Sequence, residues 1–206
     1  MIHLKSDSLT PAENYKLISG SLVPRPIAWV NTLSRKDILN VAPFSYFSTM
    51  PTSIPLVTLA IGRKADEQPK DTAQNVIDRK EAVIHLVGEE LAQPMNQTAA
   101  TLEKDQSELD LINLSLIKSN TIEVPAMVEP KVRFETKLYD HFPIKDEEAR
   151  IMTDLLVMRI TDFYFDEKIL DKESLHVNIK QLNPLARIAG PNYATLGESF
   201  SMKRPL

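Results

Sequence analysis

The stretch Val132-Arg133-Phe134-Glu135-Thr136-Lys137-Leu138-Tyr139 decides the fold class. Val132, Phe134, Thr136 and Leu138 alternate with Arg133, Glu135, Lys137 and Tyr139. A period of two puts each set on its own face of an extended chain, the mark of a half-exposed antiparallel strand. Downstream, Thr153 to Phe165 reads as a long strand, almost continuously apolar until Asp162. Upstream lie three more runs rich in β-formers: Ala82 to Val87, Leu56 to Ile61 closed by Gly62, and Ile27 to Thr32 after Pro24-Arg25-Pro26. Ser34 to Asp37 reads as a hairpin loop, and Asn40 to Ala42 as its return strand. Six or seven strands with few helices between them and hairpin-like connections fit an antiparallel barrel better than a parallel sheet.

Helix signals are few. Thr10 caps a candidate helix from Pro11 to Ile18, with the proline at its first position. Asp71-Thr72-Ala73-Gln74 reads as a capping box, with Asp71 at the N-cap. The helix it opens runs to about Lys80 and turns Val76 and Ile77 inward. The acidic segment from Gly88 to about Ser115 reads as helical. The whole is one domain, 1–206, with a helical excursion around 88–120 and a C-terminal tail over 181–206 that has room for a short helix.

Composition removes several functions. Only five of 206 residues are glycine, and no two stand closer than seven positions. That excludes the glycine-rich turns with which a Rossmann fold or a P-loop lets backbone approach phosphate. With no cysteine, disulfides, thiolate metal sites and cysteine nucleophiles are out. The four histidines are scattered and carry no metal-ligand spacing. A net charge of −4 argues against nucleic acid. The charged N-terminus does not read as a signal peptide, and Leu155 to Met158 is too short to span a bilayer. The expectation is a soluble cytoplasmic protein bound to neither membrane nor nucleic acid.

Two stretches carry the candidate chemistry. Asn40-Val41-Ala42-Pro43-Phe44-Ser45-Tyr46-Phe47 sets three aromatics and a serine in a proline-led turn. Taken alone, it reads equally as a core turn with packed rings. Gly62-Arg63-Lys64 with Lys70-Asp71-Thr72 gathers cations and a hydroxyl at a strand end and a helix start, where anions bind. Asp71 works against that reading, because a capping carboxylate competes for the same donors.

Arg25-Pro26-Ile27-Ala28-Trp29-Val30-x-Thr32, Asn40-x-Ala42-Pro43-Phe44-Ser45-x-Phe47 and Gly62-Arg63-Lys64 follow one another in fixed order. After them come Lys70-Asp71-Thr72-x-x-Asn75, Leu86-Val87 with Glu89-Glu90-Leu91, and Met95-Asn96. Pro184-Leu185-Ala186-Arg187 with Gly190 and Tyr193 closes the series. The series resembles the flavin reductase-like family of FMN-binding split barrels, over roughly residues 15–204. The resemblance implies a mostly β fold with short helices, a six-stranded antiparallel Greek-key split barrel, dimeric, with FMN near the dimer interface. It implies that Pro43, Phe44, Ser45, Tyr46 and Phe47 line the flavin. Gly62, Arg63, Lys70, Thr72 and Asn75 would meet the phosphate, with Thr32 as a further contact.

The chain departs from the family pattern in three places. His85 stands where asparagine is common. Lys145-Asp146-Glu147-Glu148 fills a hairpin that often holds glycine, and would lie over the site. Asp140-His141 resembles, loosely, a pair near the flavin and nicotinamide, and reads more readily as a surface histidine at a strand end. The activity implied is NAD(P)H:flavin oxidoreduction, with NAD(P)H as co-substrate. An FMN-binding electron carrier without reductase activity is the alternative, and a barrel for some other ligand is the third reading.

Overall fold

The computed structural model describes residues 1–102 and 106–205. Helix α1 spans Pro11–Ser21, three residues past its expected end. Thr10 and Glu13 close a full capping box at its start, with Pro11 at the first helical position. The strands follow as β1 (Arg25–Pro26), β2 (Ala28–Leu33), β3 (Leu39–Phe44), β4 (Phe47–Thr49) and β5 (Leu56–Gly62). Helix α2 (Asp71–Arg79) leads into β6 (Glu81–Leu86), and the short helix α3 is Ala92–Gln97. The pair β7 (Leu116–Ile117) and β8 (Ala126–Met127) precedes the two long strands β9 (Val132–Lys145) and β10 (Ile151–Phe165). Helix α4 (Ile179–Leu182), β11 (Ala186–Arg187) and β12 (Tyr193–Ala194) complete the chain.

One antiparallel sheet dominates, in the order β3-β2-β6-β9-β10-β5-β4. It holds the six expected strands and β4, a seventh of three residues. Its two edge strands, β3 and β4, are consecutive in the chain and are joined only by Ser45 and Tyr46. Three peptide spans hold Phe44 and Phe47 within about 11 Å. The sheet must therefore curl until its edges meet, giving the split barrel. Pro43 suits this edge, because a proline has no ladder N–H to leave bare. At Val41 the edge is covered: the buried Glu108 carboxylate accepts its N–H at 3.0 Å. Burial raises the Glu108 pKa, and the Val41 bond opposes the shift.

Strand β2 is buried on both faces, which is why it reads as an unbroken β-forming run. Ala28 and Val30 face the barrel interior with Leu59, Ile61, Ile84, Leu156 and Met158. Trp29 faces a second core with Val41, Val83, Met95, Met127 and Leu185. Trp29 Nε1 donates to Thr98 Oγ1 at 2.8 Å, and Thr98 donates on to the Met95 carbonyl. The described residues of 88–115 thereby cover Trp29, with Leu91 and Met95 in its core cluster. They do so with two short 3-10 turns and α3, not the expected long helix. Their leucines lack a continuous helical stripe, and Thr98 is held where a longer helix would continue. Residues 103–105 of that expected helix lie outside the described residues.

Helix α2 corrects a second expectation. Lys70, not Asp71, is the N-cap, and no side chain caps the helix. Asp71 instead pairs with Lys64 Nζ at 2.8 Å. Val76 is fully buried, and Ile77 packs partly buried against the same core. Among the described residues, no helix is long and apolar enough to cross a membrane.

His85 is structural. Its Nε2 accepts the Met127 N–H at 2.9 Å, so Nδ1 carries the proton toward the Trp29 carbonyl at 3.0 Å. Burial pushes its pKa down to about 3, with the Trp29 bond opposing. The unfolded chain takes up a proton near pH 6.5, whereas the folded chain does so only near pH 3. Stability from this group is therefore complete above pH 6.5 and is lost as pH falls toward 3, by about 1.4 kcal/mol per pH unit. The urea midpoint of the wild type should fall between pH 6.5 and pH 4 more steeply than that of His85→Asn.

Candidate functional site

The closure turn, the end of β5 and the start of α2 converge on one cleft of about 890 Å³. Its size falls within the usual range for small-molecule sites. Pro43, Phe44, Ser45, Tyr46, Gly62 and Lys70 line it, six of the eleven candidate residues from the sequence. Gly62 lies at the strand end with open space where a Cβ would project. No carboxylate lines the cleft among the described residues, although the chain as a whole is acidic. Lys70 has no ion-pair partner among them, and the first N–H groups of α2 have no side-chain cap. An N-terminal helix turn of this kind, beside a free ammonium, suits a phosphate.

The remaining five candidates are placed elsewhere. Phe47 packs, half-buried, into the barrel interior beside Phe44. Thr32, Thr72 and Asn75 tie α2 to the sheet beneath it. Asn75 Nδ2 donates to Thr32 Oγ1 at 3.1 Å, and Asn40 Nδ2 donates to Thr72 Oγ1 at 2.8 Å. Both bonds are buried, and neither hydroxyl lines the cleft. Asn75 also borders a separate cavity of about 450 Å³, which Asn40 lines as well.

Arg63 points into the protein. Its Nη2 donates to Asp154 Oδ1 at 2.7 Å, and His141 Nε2 lies 2.8 Å from the same oxygen. Asp154 is fully buried, so a carboxylate that the sequence left unremarked holds both Arg63 and His141. Asp140 is not part of this cluster; its carboxylate accepts the neighbouring His141 N–H. Residues 145–148, one lysine and three acids, lie at the tip of the β9–β10 hairpin. Asp146 accepts bonds from Arg150 and the Glu148 N–H there, and none of the four lines the cleft.

The rest of the cleft comes from segments far apart in the chain. Helix α1 supplies Tyr15 and Lys16, β1 supplies Arg25, and the tail supplies Arg187 and Tyr193. Tyr193 Oη donates to Asn96 Oδ1 at 3.0 Å and accepts from Arg187 Nη1 at 2.6 Å. Gly190 takes a positive φ of 59° in the intervening turn, where a side chain would be strained. Its carbonyl accepts Arg187 Nη2 at 2.5 Å. The Tyr46 pKa is raised, first by burial and then by its hydrogen bond with Tyr15. The series Arg25, Arg187 and Tyr193 was visible in the sequence as part of a motif, but nothing in spacing assigned it to this cavity.

With this geometry in place, similarity to known proteins becomes informative. Residues 20–185 match the flavin reductase like domain family, and the chain belongs to that family. Protein YwrF of Bacillus subtilis (strain 168) is 38% identical over 205 residues, covering 100% of both chains. Among solved structures, nitrilotriacetate monooxygenase component B from Bacillus cereus superposes with a TM-score of 0.94 at 36% identity, covering 98% of each chain. The 2-nitrobenzoate 2-nitroreductase NbaA of Pseudomonas fluorescens superposes with a TM-score of 0.87 at 30% identity, covering 99% of this chain and 96% of that one. Family and fold together define a flavin-related oxidoreductase of the split-barrel type.

Removing Asp154 would leave Arg63 as a nearly buried, unpaired cation. Asp154→Ala should destabilise the fold by about 3 kcal/mol in chemical denaturation.

Proposed function

We propose that the cleft binds FMN and that the protein is an NAD(P)H-dependent flavin oxidoreductase. The observation that carries this reading is the carboxylate-free cleft shared by the closure turn, Gly62 and Lys70. A planar ring with a phosphorylated polyol chain fits those parts. Lys70 and the α2 N-terminus would neutralise the phosphate dianion through charge-assisted bonds. Gly62 leaves room for ligand against the strand. Ser45 and the backbone of the closure turn would meet the polar edge of the ring, and Phe44 and Tyr46 its apolar surface. The role of Phe47 is to hold the turn from inside the barrel.

When bound, FMN supplies the redox chemistry, taking a hydride from reduced nicotinamide and passing electrons on. The side chains in the cleft orient the two partners and exclude water. No acid or base from the protein is required, which agrees with a cleft lacking both carboxylate and histidine among the described residues. The names of the two similar solved proteins, a monooxygenase component and a nitroreductase, support redox work of this kind.

A homodimer is part of the proposal. Tyr15, Leu17, Ile18, Leu22 and Val23 leave an exposed apolar strip along and just beyond α1, beside the cleft. Such a strip is the natural place for a second copy. Of the three aromatics in the closure turn, only Tyr46 is exposed, so α1 is the better motive for pairing.

Protein mixed with FMN should show a bound flavin band near 450 nm, about where free flavins absorb. NADH or NADPH should bleach that band; tight FMN binding without bleaching would select the electron-carrier alternative. Lys70→Ala should weaken FMN about tenfold or more while leaving riboflavin almost unaffected. Gly62→Val should weaken both flavins without loss of stability, because its Cβ meets open space. Light scattering at micromolar concentration should give the mass of two chains.

A further inference from the structure

Arg25 and Arg187 are direct cross-strand partners in the β1–β11 pair. Residues opposite each other on antiparallel strands share a face, and like charges in that position repel. Both arginines line the cleft, and no carboxylate lines it with them among the described residues. Arg25 donates to the carbonyls of Ser19, Leu22 and Ile188, while its Nε is buried and unpartnered. Arg187 donates to Tyr193 Oη and the Gly190 carbonyl. These bonds orient both guanidinium groups and neutralise neither. The Tyr46 and Tyr193 rings sit 5.7 and 4.7 Å from the Arg25 and Arg187 carbons, a partial compensation only. Lys16, also without a carboxylate partner among the described residues, adds a third cation.

A single phosphate is served by Lys70 and the α2 N-terminus. The paired arginines belong to a different wall, built by β1, β11 and α1, and their charge is surplus to that need. We infer that Arg25 and Arg187 form a second oxyanion subsite, which takes a carboxylate or phosphate group of the second substrate. This inference rests on the flavin reading of the cleft. Arg187 keeps N–H groups free for charge-assisted bonds to either group, and Arg25, its Nη1 spent on the Ser19 and Leu22 carbonyls, adds positive charge beside it. The phenol rings of Tyr15, Tyr46 and Tyr193 around the pair favour a planar aromatic body attached to that group. Both a nicotinamide dinucleotide and an aromatic acid meet the description.

The test titrates sodium benzoate and inorganic pyrophosphate, separately, into FMN-loaded protein at ionic strength held constant with sodium chloride. Flavin absorbance and the thermal midpoint are read together. At least one probe should perturb the flavin band and raise the midpoint of the wild type. A response to benzoate identifies an aromatic acid as the source, and a response to pyrophosphate a dinucleotide. Arg187→Gln should weaken that probe about tenfold or more, with FMN affinity changed less than about threefold. Arg187→Lys should fall between, and carries the test if the glutamine variant does not fold.

Three results overturn the inference: neither probe acting on the wild type, an unchanged probe affinity in Arg187→Gln and Arg187→Lys, or loss of FMN affinity in these variants as large as in Lys70→Ala. Failure of the wild type to bind FMN defeats the flavin reading separately. The difference in midpoint shift between the wild type and Arg187→Gln, both flavin-free, still reports on the arginine pair.

Discussion

The closure of one sheet on itself through a two-residue link is the constraint on which the rest depends. Strands β3 and β4 sit at opposite edges of a seven-strand order, yet the chain passes from one to the other through Ser45 and Tyr46 alone. The curl that makes this possible creates an interior, which Leu59, Ile84, Leu156 and Met158 fill. It also leaves a seam where backbone and aromatic side chains turn outward. Phe44 and Phe47 anchor the seam from within, which leaves Ser45 and Tyr46 on the cleft side. At the seam the two edge strands β3 and β4 are not paired with each other. A ligand site there therefore needs no break in the sheet.

Electrostatics then divides the cations around the cleft and its neighbouring loop into two groups. Arg63 is held by the buried Asp154, and Lys64 by Asp71. These are structural, and an anion would have to compete with a carboxylate already at 2.7 or 2.8 Å. Lys16, Arg25, Lys70 and Arg187 line the cleft with no such partner among the described residues. In a chain of net charge −4, a carboxylate-free cavity ringed by these four is a local inversion of sign. It focuses attraction for anionic ligands while the acidic remainder of the surface does not compete for them.

Strand positions were legible because period and β-propensity act locally. The alternation from Val132, the apolar run of β2 and the capped start of α1 all reappear in the structure. The closure turn and Lys70 were legible as well, since each lies within one short motif. Thr32, Thr72, Asn75 and Arg63 misled for a single physical reason. A polar side chain at a strand end or helix start reads the same whether it faces a ligand or a buried partner. Only the tertiary fold, which brings Thr32 beneath Asn75 and Asp154 beside Arg63, separates the two. Asp71 at the start of α2 is a similar case. Its attraction to Lys64 competes with capping, and the ion pair prevails.

Scarcity of glycine has a structural counterpart here. Among the described residues, six other than glycine, Lys80 at the α2 C-cap and Ala149 in the β9–β10 turn included, adopt positive φ where glycine is usual. The strain at such positions is about 1 kcal/mol each, and each of these residues donates its backbone N–H to a carbonyl three or four residues earlier, which offsets it. Gly62 and Gly190 serve the site instead: one leaves open space at the cleft edge, and the other takes φ 59° in the turn that returns Tyr193 to Arg187. A phosphate can thus be received by an uncapped helix start and a lysine, without the repeated glycines that other nucleotide folds use to bring backbone close. Two of the five glycines, Gly62 and Gly190, line the cleft.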